Sequence, residues 1–367
     1  MNDSSALPPP SPHHLEVRRE PFIFTGTARE YFGIWIVNVL LTILTLGIYS
    51  AWAKVRRQRY FYGNTHLAGA AFEYHARPVQ ILIGRIIVLL LIAAYNLALN
   101  FVPVVGGLIA VAAIFAVPWL VCRGLRFSAR VTSYRNVRFD HTGTYWGAFQ
   151  AFILGTALIY GTAGVLAPLA SQWMWNYTLG NLRYGDRPVT CDPRLERLYR
   201  QWWLPAGVFL GGIVVALIVA VAVIAGGLAT GPAILEQLDE HMLLVAVALV
   251  NLAIVPIIIL YLIVGTLYRA SMRNAAFNET VIDGRHALAS SIHRGRYLWI
   301  AMSNLVATIA TLGLARPWAA IRMASYLASA TALDTTGSLD AYFATIKAEG
   351  AATGAEFMDI EGFDVGF

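Results

Sequence analysis

Four stretches, residues 79–99, 104–121, 204–229 and 242–267, are almost wholly apolar, and Arg85 is the one charge inside them. About 20 such residues cross a hydrocarbon core as a helix. Residues 100–103 join the first pair and residues 230–241 the second, so each pair reads as a helical hairpin. The composition agrees. Only 13 % of the 367 residues are charged, against about 25 % in a soluble domain.

A second pattern overlies the first. The segment from Tyr31 to Gly69 realigns without a gap on the segment from Tyr297 at a constant offset of 266 residues. Asn38, Thr42, Ile43, Thr45, Leu46, Gly47, Trp52, Ala53, Arg56 and Tyr60 all recur there. Shared hydrophobicity does not reproduce a Trp, a Gly and an Asn in register, so we read an internal repeat. A third, weaker copy lies between them. Tyr145-Trp-Gly147 echoes Tyr31-Phe-Gly33, and Tyr177 to Asn181 echoes Tyr60 to Asn64. It carries Trp173 and Asn176 where the first copy has Arg56 and Arg59, so its charge is different.

The core TLGIYSAWAKVRRQRYFYGNT, the FTGT entry before it and the later RNVRF segment resemble the YjgN-like family of bacterial inner-membrane proteins. The resemblance runs from Pro21 to Asp340 and implies a polytopic inner-membrane protein of unestablished activity. It supplies no catalytic residues.

Charge sets the orientation. The stretches 54–77, 123–138, 183–200 and 269–296 are basic, whereas residues 230–241 hold three acids and residues 100–103 no charge. Basic flanks stay on the cytoplasmic side, which places both termini there. Each repeat is basic on both sides, so the simpler reading is a re-entrant hairpin that turns at Thr45-Leu46-Gly47. A steeply tilted single crossing is the competitor. The expected fold class is therefore an all-α polytopic membrane protein with internal repeats, and short β-strands forming a small cytoplasmic cap. Those strands are expected in six alternating stretches at 22–27, 65–75, 131–141, 181–189, 277–286 and 331–346. The repeat units cover about 22–75, 139–190 and 286–340, the hairpins 79–121 and 204–267. Residues 1–20 read as a disordered Pro-rich tail and 341–367 as an acidic tail.

Asn38, Thr42 and Thr45 follow i, i+4, i+7 spacing and share one helix face, as do Asn304, Thr308 and Thr311. Such seams hold helices together. They also serve as polar paths when they end at broken helices in related repeats. Arg85 is either a snorkelling side chain or a partner for an anion. Gly47 and Gly313 are the expected turn-formers. Lys54, Arg56, Arg57, Arg59, Trp52, Arg322 and Trp318 suit contact with lipid head groups. Membrane lipids, anionic ones first, are thus the expected partners, self-association is left open, and nucleic acid is not expected. No zinc spacing, P-loop, dinucleotide fingerprint or nucleophile motif occurs. We therefore expect no cofactor, no metal and no enzyme. Transport of a small solute or lipid along the polar faces is the first functional expectation, and a non-catalytic lipid- or partner-binding scaffold is the second.

Overall fold

The computed structural model describes residues 17–235, 240–337, 339, 342, 343, 345 and 346, with backbone alone for 220, 223–235 and 240–254. Ten strands run through it: β1 (Val17–Phe24), β2 (Thr65–Leu67), β3 (Ala70–Tyr74), β4 (Thr132–Tyr134), β5 (Val137–His141), β6 (Leu182–Tyr184), β7 (Arg187–Cys191), β8 (Thr280–Ile282), β9 (His286–Ser290) and β10 (Thr331–Thr336). Each pairs antiparallel with its neighbours in the chain, and β1 pairs with both β2 and β10, so the sheet closes into a barrel. This corrects the all-α class with a small cap. The physical reason is closure. Strands of three to eight residues are marginal as isolated hairpins, whereas a closed sheet leaves no unpaired edge.

Tight turns with positive φ at Ala68, Arg135, Asn136 and Asp283 join β2–β3, β4–β5 and β8–β9. At the seam Arg19 and Asp334 face each other in register and form a two-pronged ion pair at 2.7 and 2.9 Å. That hydrogen bond holds the Asp334 carboxyl below its usual range.

The barrel interior is apolar. Leu67, Tyr134, Val137, Tyr184 and Leu333 form its core together with Phe343 and Ile346. The phenols of that core are used internally, Tyr184 Oη donating to the Tyr134 carbonyl at 2.9 Å. Three expected boundaries shift as a result. Residues 17–20, assigned to the N-terminal tail, begin β1; the rest of that tail lies outside the described residues. The alternating stretch 331–346 is a strand only to Thr336. Leu339, Tyr342, Phe343 and Ile346 follow as helical residues at i, i+3, i+4, i+7 spacing, packed into the barrel. Phe343 and Ile346 therefore belong to the core and not to the acidic tail.

Between each odd strand and the next even strand the chain leaves the barrel as a helical hairpin and returns. The first hairpin is α1 (Ala28–Leu44) with α2 (Ser50–Gly63), and the second is α3 (Pro78–Phe101) with α4 (Pro103–Arg130). The third hairpin begins with α5 (Tyr145–Ala148). It continues through a π-helical stretch, Phe149–Leu154, into α6 (Gly155–Gly161) and returns by α7 (Ala167–Gly180). The fourth is α8 (Leu195–Leu235) with α9 (Glu240–Phe277), the fifth α10 (Arg294–Ala310) with α11 (Arg316–Ser329). Among the described residues, four helical segments are long and apolar enough to cross a membrane: Pro78–Phe101, Pro103–Arg130, Leu195–Val219 and Val255–Phe277. All four belong to the second and fourth hairpins.

The three short hairpins share one turn. Gly47, Gly164 and Gly313 have φ of +93°, +86° and +95°, and the residue before each also has positive φ. Each glycine N–H donates across the helix end, to Thr42, Ile159 and Thr308 respectively, always at 2.7 Å. This is the six-to-one bond of a Schellman stop. Thr45, Thr162 and Thr311 then accept from the backbone N–H that starts the returning limb, at 2.9, 3.1 and 2.9 Å. At the barrel end Tyr60, Tyr177 and Tyr326 clasp the entry of the outgoing limb, donating to the carbonyls of Thr27, Thr144 and His293 at 3.0, 3.0 and 3.1 Å. Caps Thr27 and Thr144, like turn glycines Gly47 and Gly164, are 117 residues apart. The echo of Tyr31-Phe-Gly33 in Tyr145-Trp-Gly147 is three residues out of that register.

Candidate functional site

The hydroxyls of the expected polar faces are engaged by their own helices. Thr42 donates to the Asn38 carbonyl at 2.6 Å and Thr45 to that of Leu41 at 2.7 Å. Thr308 and Thr311 do the same to Asn304 and Ala307, both at 2.7 Å. Asn38 and Asn304 are buried but turned to the returning limb of their own hairpin. Asn38 Oδ1 accepts from Arg56 at 3.4 Å. Asn304 Nδ2 donates to the Ala319 carbonyl at 3.0 Å, and its Oδ1 accepts from Arg322 at 3.2 Å. The described contacts thus tie each face within one hairpin. Gly47 and Gly313 lie at tips where Leu46 and Leu312 are 95 % and 96 % exposed.

Two of the singled-out residues, Asn38 and Arg56, touch, and Arg85 reaches the same end of α2. Arg56 on α2 reaches Asn38 and also the Tyr49 hydroxyl at 3.3 Å. Arg85 on α3 donates to the Ser50 hydroxyl, next in sequence. Two guanidiniums from adjacent hairpins therefore meet the first turn of α2, beside the stacked rings of Tyr49 and Trp52. Neither guanidinium forms an ion pair among the described residues. Tyr49 and Ser50 were not singled out from sequence. Nothing in their spacing marks them, since the contact is made by α3 from the next hairpin.

The fifth hairpin repeats half of this arrangement. Arg322 bonds Ser303 at 2.7 Å as well as Asn304, and lies over the Trp318 ring at 5.1 Å. The remaining basic residues serve elsewhere. Arg59 approaches the Tyr74 and Ala76 carbonyls at 3.4 and 3.5 Å, tying α2 to the end of β3. Arg57 stacks on Phe61 at 5.8 Å, and Lys54 is exposed.

Chemically, a guanidinium that bonds only neutral oxygens keeps its full charge and several free N–H donors, the requirement for binding phosphate or carboxylate oxygens. The barrel offers the opposite character. Its internal cavity of about 170 Å³ has an apolar wall that includes Leu339, Tyr342 and Phe343.

A family model described as "Bacterial protein of unknown function (DUF898)" matches residues 19–360. Among curated proteins, the inner membrane protein YjgN of Salmonella typhimurium is 26 % identical over 365 residues, covering 87 % of this chain and 89 % of that protein. The inner membrane protein YjgN of Escherichia coli K12 is 31 % identical over 160 residues, and its O157:H7 counterpart 30 %. Those two matches span 41 % of this chain and only 40 % of each relative's length. No solved structure matches.

Proposed function

The chain belongs to the DUF898 family, and from that premise we propose that it is a non-catalytic inner-membrane scaffold that holds anionic lipid between its first two hairpins. The observation that carries the reading is that Arg56 and Arg85, from adjacent hairpins, bond the consecutive hydroxyls of Tyr49 and Ser50 and neither forms an ion pair among the described residues. In this reading the barrel sits on the cytoplasmic face with both termini. The second and fourth hairpins cross the membrane, and the other three dip into it. Lengths support this. A limb of 17 residues such as α1 spans about 25 Å, short of a hydrocarbon core of about 30 Å, while α3 with 24 residues spans about 36 Å. The three short tips, 45–49, 162–166 and 311–315, carry no charge. The common caps, turns and tyrosine clasps support reading the hairpins as internal repeats.

Solute transport along Asn38/Thr42 and Asn304/Thr308 has less support, because those threonine hydroxyls are spent on their own helices and the barrel interior is lined by apolar side chains. The lipid site is tested by native mass spectrometry of the protein released from membranes. We expect phosphatidylglycerol or cardiolipin to travel with it, and its occupancy to fall about tenfold or more in Arg56→Gln/Arg85→Gln, which removes two charge-assisted contacts to phosphate of about 1.5–3 kcal/mol each. An unchanged lipid complement in the double variant would refute the site.

A further inference from the structure

The third hairpin departs from the first at the place where the first binds its carbonyls, and the departure opens a cleft. In the first hairpin Arg59 lies against the carbonyls of Tyr74 and Ala76. The residues 117 positions on are Asn176, Cys191 and Pro193. Asn176 is too short to repeat the contact. Gln172 supplies it instead, its Nε2 donating to the Pro193 carbonyl at 2.9 Å. Beside Asn176 lies a cleft of about 430 Å³ with a polar wall. Trp173, in place of Arg56, lines it.

Two further observations show that the cleft is more than a missing side chain. The outgoing limb has the same 17 residues as α1, yet six of them, Phe149–Leu154, are π-helical. A π-turn is rare as regular structure and is frequent at functional sites. Here the stretch contains Gln150, which lines the cleft. Gln150, Asn176 and Asp192 also make no side-chain hydrogen bond among the described residues, so three planar polar groups remain available on one concave wall. Tyr177 adds a neutral floor. Burial pushes its phenol pKa up, and its hydroxyl is spent on the Thr144 carbonyl.

Planar amides and a carboxylate match the paired donors and acceptors of adjacent hydroxyls. An indole beside them covers the C–H face of such a molecule, and a concave site with a few convergent polar groups is the usual form of a small-molecule pocket. Exchanging both arginines for Trp173 and Asn176 removes the attraction for phosphate. We propose that this cleft binds a neutral polyhydroxylated group, a sugar or polyol, contacted by Gln150, Trp173, Asn176 and Asp192. The source is either a free solute or the head group of a glycolipid, and the site is separate from the Arg56–Arg85 site.

The test uses the full chain in nanodiscs made without sugar-headed detergent. Ligand-observed saturation-transfer NMR is run with methyl glucoside and myo-inositol, and with glycerol phosphate as the anionic control. A parallel set of nanodiscs carries a glucosyl diacylglycerol. Saturable transfer to methyl glucoside or inositol, but not to glycerol phosphate, is expected. Competition by the glycolipid would assign the head-group source, and its absence the free solute. Asn176→Arg rebuilds the side chain that the first hairpin tolerates, so it should fold and abolish the transfer. Gln150→Ala should weaken it at least severalfold while leaving the lipid bound at Arg56 and Arg85 unchanged. No saturable transfer to either polyol, or transfer that survives in Asn176→Arg, overturns the proposal.

Discussion

Ile346→Ala should lower the stability of the protein by about 2–5 kcal/mol, the range for truncating a large buried aliphatic side chain. Ile346 is 1 % exposed and packs with Tyr134, Tyr184 and Phe343 inside the barrel, against the turn at Gly185. A closed barrel of short strands has little room to collapse around a vacated site, which favours the upper part of that range. The neighbouring Thr345 is exposed and, among the described residues, bonds the Tyr342 carbonyl alone. Thr345→Ala should therefore stay within about 0.5 kcal/mol of the parent. Thermal unfolding of the two variants in the same detergent separates the outcomes. Equal midpoints would mean that the segment after Thr336 is not part of the core.

The second large effect is expected at the hairpin tips. A Cβ added at Gly47 or Gly313 meets no atom within 4 Å, so space is not the obstacle. The cost lies in the backbone, whose φ of +93° and +95° is open to glycine and closed to β-branched residues. Gly47→Val and Gly313→Val should each cost about 1–3 kcal/mol. The sites lie in separate hairpins with separate partners, so the double variant should show nearly the sum. In a continuous helix the same changes would be neutral or stabilising, since valine ranks above glycine there. A double variant that melts at or above the parent temperature would rule out the turn.

Much of this architecture was legible at the level of helices. The four apolar stretches fall inside the helices of the second and fourth hairpins, and Thr45-Leu46-Gly47 is where α1 stops. The barrel was not legible. A strand such as Thr132–Tyr134 is too short to display a period, and its partners lie dozens of residues away in β3 and beside it in β5. Residues 17–20 read as tail because Val-Arg-Arg-Glu has no apolar alternation. Only the register with Leu333, Asp334 and Thr335 makes it a strand. The spacing puts Asn38, Thr42 and Thr45 on one face, but Thr42 and Thr308 bond backward to the carbonyls of Asn38 and Asn304, a choice that spacing does not reveal. Arg56 and Arg85 were both visible as charges near apolar helices. That they bond consecutive residues, Tyr49 and Ser50, depends on which hairpins the barrel sets side by side.

In the proposed topology every hairpin leaves and re-enters one barrel on the cytoplasmic side, and the short tips end within the membrane. Single cysteines placed at Asn136, Asp283, Leu46 and Leu312, in a background lacking Cys122 and Cys191, test it directly. An impermeant maleimide is applied to spheroplasts and to inverted vesicles. Positions 136 and 283, in the barrel turns, should label only in inverted vesicles, and positions 46 and 312 in neither preparation. Labelling of 46 or 312 in spheroplasts, or of 136 and 283 from opposite sides, would contradict the account.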